Sequence, residues 1–109
     1  MTTYTQSNTY LLLTNQMADA NAIVSINYPG KSAVVKVWGT FAGATIQFRT
    51  SAPQTNPTVW LSIADPKGNT NITTNIQGTI TDLVQNEQLQ VVQSGSGVGT
   101  ALNVSVELT

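Results

Sequence analysis

The chain has no cysteine and no histidine among its 109 residues. Without thiols it forms no disulfide and has no cysteine nucleophile, and without imidazole it lacks the commonest general acid or base of enzymes. Zinc sites are also built mainly from these two residue types. The sequence therefore argues against most enzyme classes, and we expect no catalytic residues, no bound metal and no cofactor.

Charged residues are almost as scarce. There are 4 Lys and Arg and 5 Asp and Glu, which give 8% charged residues and a net charge of -1, where globular proteins carry roughly 25% charged residues. Nucleic acids and anionic membranes attract proteins through clusters of basic side chains. We therefore expect no nucleic acid and no membrane among the partners, and the apolar run Leu11–Leu13 is too short for a membrane span or an export signal.

The abundant residues are polar but uncharged, with Thr, Ser, Asn and Gln filling 44 positions, 17 of them Thr. This composition favours β surface over helix surface. Apolar residues recur at two-residue spacing in one segment after another, most clearly near the end of the chain, in the series Leu102, Val104, Val106 and Leu108. Such alternation is typical of strands buried on one face. It predicts an all-β protein whose last strand, residues 100–108, lies in the core.

Turn residues suggest how neighbouring strands pair. Alternation over residues 22–28 ends at Pro29 and Gly30, which predicts an antiparallel pair with a strand within residues 31–40. The small residues at 39, 42 and 43 then predict a tight hairpin into a strand at residues 45–50. Further strands are predicted around residues 59–63, 72–80 and 89–91.

Seven or eight short strands in a chain of this length predict one domain, a single antiparallel β-sandwich of jelly-roll-like type. We place it at residues 21–109. Residues 1–20 have weak periodicity, and they predict an extended N-terminal arm or an irregular edge segment.

The five carboxylates are scattered over different predicted elements, at Asp19, Asp65, Asp82, Glu87 and Glu107. Acid–base pairs and calcium sites both need several carboxylates close together. The turn at residues 65–70 offers one carboxylate, which is too little charge for a tight calcium cage. The glycines between residues 95 and 99 predict a flexible turn, because a phosphate-binding loop needs a following helix and a strand is expected there.

Two tryptophans, Trp38 and Trp60, lie on the more polar side of their predicted strands. Trp38 shares that side with Lys36, and Trp60 shares it with Ser62, so both rings are expected to point outward. Three interpretations follow: the rings lie under loops or fill the sandwich edge, they form a protein interface, or they form a carbohydrate platform. The first is favoured, and the other two make both residues candidate site residues.

The predicted edge strands have few protecting residues. Natural sandwiches guard their edges with Lys, Pro or inward charges, and here 4 Lys and Arg serve all the strands. Either loops cover the edges or an assembly does, which predicts a homo-oligomer. Within the predicted arm, five side chains suit docking on a neighbouring surface: Tyr4, Tyr10, Leu11, Leu12 and Leu13. Removal of residues 2–13 is accordingly expected to leave the domain folded.

The run from Tyr28 to Phe48, with Gly39-Thr-Phe-Ala-Gly-Ala-Thr45 near its end, resembles small structural proteins of tailed bacteriophages. In that family a strand ends in a hairpin of the type Gly-Thr-Phe-Gly-Gly-Ala-Thr, and a second tryptophan follows, here Trp60. The segments 89–97 and 100–106 are similar to the family's last two strands. The resemblance thus covers residues from about 22 to 108.

The chain departs from the family pattern in two places. Residues 54–60 lack the Asp-Gly-Gly-Thr-Thr-Trp turn, and Gln90 lies where an arginine is common. The resemblance implies a non-enzymatic virion protein of the capsid decoration, or cement, type, made in the bacterial host cytoplasm and placed on the capsid surface. It implies the major capsid protein as partner and a homotrimer. The alternative is a head or tail fibre component for adsorption with a carbohydrate-binding sandwich.

Overall fold

The computed structural model describes residues 9–26, 32–51, 60–63, 70–81, 83–84 and 87–108, and at 60 and 62 only the backbone. These residues form eight strands and no helix, hence none long and apolar enough to cross a membrane. The strands are β1 Thr9–Gln16, β2 Ala20–Ser25, β3 Ala33–Thr40, β4 Thr45–Ser51, β5 Trp60–Ile63, β6 Ile76–Ile80, β7 Gln88–Ser94 and β8 Ala101–Leu108.

The strands form two four-stranded sheets that pack as a sandwich. Sheet A has the order β1-β8-β3-β6 and sheet B the order β2-β7-β4-β5, with every neighbouring pair antiparallel. Successive strands change sheet at every connection except that between β4 and β5. This is the strand order of a jelly roll. The predicted all-β, jelly-roll-like sandwich is confirmed.

The predicted final strand is confirmed as β8, which lies between β1 and β3 in sheet A. Its apolar residues Leu102, Val104 and Val106 are fully buried. Facing them from sheet B are buried side chains that include Phe48, in β4, and Val91, in β7. The two-residue alternation of each strand therefore supplies one inner face, and the two inner faces close on each other.

Both predicted strand pairings were wrong, although the strands themselves were predicted. β2 pairs with β7 in sheet B, whereas β3 pairs with β8 and β6 in sheet A. The turn after β3 exists, because Ala44 N–H donates to the Phe41 carbonyl at 2.8 Å. It leads β4 into sheet B instead of back along β3, since both edges of β3 are already occupied. The predicted turn at Pro29 and Gly30 lies outside the described residues.

Of the two interpretations for residues 1–20, residues 9–16 take the edge-strand form, as β1. The pairing of β1 with β8 has register shifts between Leu11 and Leu13 and between Leu13 and Gln16. The first shift turns both Leu12 and Leu13 towards the core, and Leu13 is only 4% exposed. Removing residues 2–13 would therefore delete most of β1 and a core side chain, so the structure predicts that this truncation destabilises the domain, contrary to the expectation from the sequence.

Three connections meet at one end of the sandwich, called here the crossover end: residues 17–19, 41–44 and 95–100. The buried Thr100 hydroxyl accepts the Gly97 N–H at 2.9 Å and donates to the Phe41 carbonyl at 3.0 Å. The buried Gln93 amide donates to the Gln16 carbonyl at 3.1 Å. Polar side chains thus satisfy the peptide groups of connections that leave the sheet ladders.

A charge at Val104 should disrupt the fold. We expect Val104→Asp to lower the free energy of unfolding by about 3 kcal/mol or more, because the carboxylate would be buried without a partner. The neighbouring outward position supplies the control: Ser105→Asp should cost less than about 1 kcal/mol, since Ser105 lies opposite Lys36. Urea unfolding followed by circular dichroism measures both. Equal losses in the two variants would contradict the assignment of the inner face.

Gly39 marks the point where β3 ends against β8. Its φ is +132°, and a Cβ there would overlap the backbone carbonyl oxygen of Ala101. We expect Gly39→Ala to cost about 3 kcal/mol, from overlap and backbone strain together. At Gly43, φ is +92° with no atom within 4 Å of an added Cβ, so Gly43→Ala should cost only about 1 kcal/mol. Thermal unfolding compares the two variants, and a lower melting temperature for Gly43→Ala than for Gly39→Ala would show that the overlap with Ala101 is not the larger cost.

Candidate functional site

Trp38 lies on the outer surface of sheet A, as its place in the sequence pattern predicted. Its side chain is 40% exposed, although large aromatic side chains are usually well buried. Around it is a surface that we call the Trp38 face, made by Leu11, Lys36, Trp38, Gln77, Asn103 and Ser105. Its strands come from all parts of the chain, so only the folded sandwich brings these side chains together.

Cross-strand pairing sets the layout of the Trp38 face. Leu11, Ser105, Lys36 and Gln77 are consecutive partners across β1, β8, β3 and β6, and partners in antiparallel strands point to the same side. Leu11 at one end of this row is 55% exposed. The face therefore combines two exposed apolar side chains with amides, a hydroxyl and one cation.

Two asparagines fix the backbone that carries Trp38. Asn103 Nδ2 donates to the Trp38 carbonyl at 3.3 Å, while its Oδ1 accepts the Asn15 N–H at 2.9 Å. On the other side, Asn75 Oδ1 accepts the Gly39 N–H at 3.1 Å. Asn103 thereby ties the irregular end of β1 to β3 across β8. The indole is thus carried by a backbone held from both sides.

Beside the indole is a shallow depression of about 350 Å³ between β3 and β6. Its lining includes Lys36, Trp38, Asn75 and Gln77. An open surface of this kind fits a flat partner or a sugar ring better than a small molecule that must be enclosed. The chemistry available is apolar contact with the ring edge and hydrogen bonding to amides.

The structure separates the predicted site residues. Leu11 and Trp38 are exposed on the Trp38 face, whereas Leu13 is buried in the core and Tyr10 and Leu12 are half-buried against it. Strand pairing with β8 turns these three side chains inward, a direction that the prediction of a docking arm did not include. Tyr4 and the side chain of Trp60 lie outside the described residues, and the Trp60 backbone pairs with Ser51.

The outer surface of sheet B is more polar. Arg49 Nη2 donates to Gln47 Oε1 at 2.9 Å, and Gln47 Nε2 donates to Asn71 Oδ1. Arg49 is the only charged residue in the strands of this sheet, and Gln90 beside it is buried. Arg49 and Gln47 bond to each other on the inner strand β4, and Ile23 is an exposed apolar side chain on the same side of the sheet, in the edge strand β2.

Asp19 is the carboxylate with a defined local role. Its Oδ1 accepts the Ser96 N–H at 2.9 Å, and Ser96 Oγ in turn accepts from Gln93 Nε2 at 3.0 Å. The Ser96 backbone hydrogen bond, and then the Ser96 hydroxyl, hold the pKa of Asp19 below its ordinary value of 3.8. Asp19 therefore joins two connections of the crossover end, which is a structural role.

Acidic side chains do not gather in threes anywhere in the described ranges. The chain matches no protein-family model, and no curated protein or solved structure is detectably similar to it. The candidate site therefore depends on geometry alone.

Sequence reasoning missed Asn75, Gln77 and Asn103 as members of the site. Gln77 could have been found, because the apolar spacing of Ile76 and Ile80 places it outward. The contribution of Asn75 and Asn103 had no local signal. Each contributes through a hydrogen bond to a residue far away in the sequence: 36 positions separate Asn75 from Gly39, and 65 positions separate Asn103 from Trp38.

Acid sensitivity should change when Asp19 is neutralised. Because the folded state lowers the Asp19 pKa, its stabilising effect is present above the unfolded pKa of about 4 and is lost as pH falls through the folded pKa. We expect Asp19→Asn to destabilise at pH 7 and to approach the wild type at pH 2. Urea unfolding at both pH values measures this, with Glu107→Gln as the control for loss of a carboxylate. If the free energy of unfolding of Asp19→Asn were lower than that of the wild type by the same amount at both pH values, the prediction would be contradicted.

Proposed function

We propose that this chain is a non-enzymatic virion structural protein that decorates a capsid shell and stabilises it by binding the major capsid protein through the Trp38 face. The observation that carries the proposal is that Trp38 and Leu11 are both exposed on the outer surface of sheet A, on strands that β8 separates. The virion location and the capsid partner come from the resemblance of residues 22–108 to small phage structural proteins.

The composition of the Trp38 face supports a protein partner. Tryptophan is among the residues that contribute most to protein–protein binding, especially when neutral contacts surround it and exclude water. Lys36 is the single charge among the six residues that define the face. Charged residues are depleted at the centres of protein interfaces. The composition of the Trp38 face therefore resembles the centre of an interface more than its polar rim.

The scarcity of charged residues supports the proposal that the protein functions within an assembly. A net charge of -1 gives weak electrostatic repulsion between copies, and such proteins associate more readily than highly charged ones. The same scarcity leaves little attraction for nucleic acid or anionic lipid. A homo-oligomer on the shell surface is consistent with both properties, while the trimer is implied by the resemblance alone.

A carbohydrate-binding adsorption protein is the second candidate, favoured by one specific feature. The depression places the Trp38 ring next to the side chains of Asn75 and Gln77. Apolar ring contact with nearby amides is a suitable surface for a sugar. Asn75 Oδ1 already accepts a backbone N–H, which leaves fewer free acceptors and makes this candidate the weaker one.

Replacing the indole separates these functions. Trp38→Thr keeps a residue that favours strands, and we expect it to weaken binding about 10- to 30-fold, as for an interface centre. The assay is cosedimentation with shells assembled from the major capsid protein of the same genome. Val98→Ala, at a fully exposed site on the crossover end, is the control and should bind like the wild type.

Two results would decide against decoration. Shell binding that is unchanged in Trp38→Thr would remove the Trp38 face as the contact. Binding of the wild type to a glycan array, lost in Trp38→Thr and without any shell binding, would establish the carbohydrate function instead.

A further inference from the structure

The four edge strands contain no charged residue and no proline. These strands are β1, β2, β5 and β6. The charges that do occur within strands, Lys36, Arg49 and Glu107, all belong to inner strands. This placement is the reverse of the usual protection, in which edge charges prevent strands from pairing with other molecules.

Among the edges, β2 is the best suited to pairing. β1 has two register shifts, β5 has four residues, and β6 has a glycine at its centre. Such features shorten or distort an edge. β2 has six residues in unbroken register with β7, from Ala20 to Ser25.

The direction of the free hydrogen-bonding groups of β2 follows from its register. Ile26 N–H donates to the Glu87 carbonyl at 2.9 Å, one step beyond the pairing of Ser25 with Gln88. Because backbone groups alternate in an antiparallel strand, even-numbered residues of β2 bond to β7. The N–H and C=O groups of Asn21, Ile23 and Ser25 therefore point to the edge of sheet B on which no other described strand pairs, and all three residues are exposed.

These three residues are self-complementary about a two-fold axis. If Ile23 lies opposite Ile23 of a second copy, Asn21 lies opposite Ser25 in both directions. Each of the three pairs then exchanges an N–H and a C=O with its partner. The contact places no charge opposite a like charge, and it covers the Ile23 side chain, which is 47% exposed in a single chain.

We propose that β2 pairs antiparallel with β2 of a second copy around a two-fold axis at Ile23, which joins two copies of sheet B into one continuous sheet. The occupant of this edge is thus the chain itself. The inference goes beyond the proposed function, since pairing in solution needs no shell. A two-fold contact gives a dimer, whereas the trimer implied by the resemblance needs a different, heterologous contact.

The test compares two lysine variants at exposed positions on the two edge strands of sheet B. Ile23→Lys places two cations beside the two-fold axis, and we expect it to raise the dimer dissociation constant about 10- to 100-fold. Leu61→Lys is the control, because Leu61 is 52% exposed on β5, the other edge of the same sheet. Light scattering over a dilution series should give twice the 11.6 kDa of one chain for the wild type and for Leu61→Lys, and one chain mass for Ile23→Lys.

A backbone variant tests the hydrogen bonds directly. Ile23→Pro removes an N–H that points away from β7 and has no partner among the described strands, and proline is tolerated on edge strands. We expect a folded monomer, with circular dichroism like that of the wild type. Hydrogen exchange should show protected amides at Asn21, Ile23 and Ser25 in the concentrated wild type and fast exchange there after dilution. If Ile23→Pro does not fold, the two lysine variants and the hydrogen-exchange data on the wild type still decide whether β2 pairs with β2 of a second copy.

A wild type that stays monomeric at high concentration, or that forms a trimer, would overturn the proposal. So would a dimer that survives Ile23→Lys, or one that Leu61→Lys disrupts equally. Trp38→Thr should dimerise like the wild type, so failure of the edge contact and failure of the Trp38 face as shell-binding surface give different results.

Discussion

The change of sheet at nearly every connection is the constraint on which the rest of this structure depends. A chain that crosses between sheets about 10 Å apart cannot satisfy the peptide groups of its connections by hairpin pairing. At the crossover end, Thr100, Gln93 and Asp19 supply the missing partners. These three side chains are polar groups placed where the alternating pattern of the strands stops. The close approach at Gly39 is part of the same requirement, since β3 must leave sheet A directly against the backbone of β8.

Local alternation was sufficient to predict strands and faces but insufficient to predict partners. The apolar residues of β8, Leu102, Val104, Val106 and Leu108, could be assigned to the core from their two-residue spacing alone. The same spacing in β3 places Trp38 on the outer side. A turn at residues 41–44 looks the same in sequence whether it closes a hairpin or crosses between sheets. What decides between them is the occupation of both edges of β3 by distant strands, and no residue near the turn encodes that. The inward turn of Leu12 and Leu13 was missed for a related reason, because a register shift breaks the parity from which faces are inferred.

The same long-range dependence applies to the candidate site. Trp38 could be placed on an outer face and Leu11 could be selected as a docking residue of the predicted arm, but their common surface exists only because β8 lies between β1 and β3. Asn103, on β8, bonds to the main chain of Asn15 and of Trp38 and so links β1 to β3. Asn103 was predicted to face water because it is a polar residue in the middle of a strand. That prediction gave the direction of its side chain but not its two hydrogen bonds to neighbouring strands.

The two proposed contacts lie on different parts of the molecule and support each other geometrically. β2 belongs to sheet B, whereas the Trp38 face is the outer surface of sheet A. Antiparallel strands paired about a two-fold axis keep paired side chains on the same side of the combined sheet. In the paired form, both copies of sheet A therefore lie on one side, and both Trp38 faces point in the same direction. A regular shell offers repeated sites, so a pair of this geometry would bind two of them at once. The second contact is then effectively intramolecular, which raises the apparent affinity by about 10²- to 10⁴-fold without any new interaction. A Trp38 face with few charges and one exposed indole would thus suffice for stable attachment, because pairing through the charge-free β2 edge lets two such faces bind the shell together.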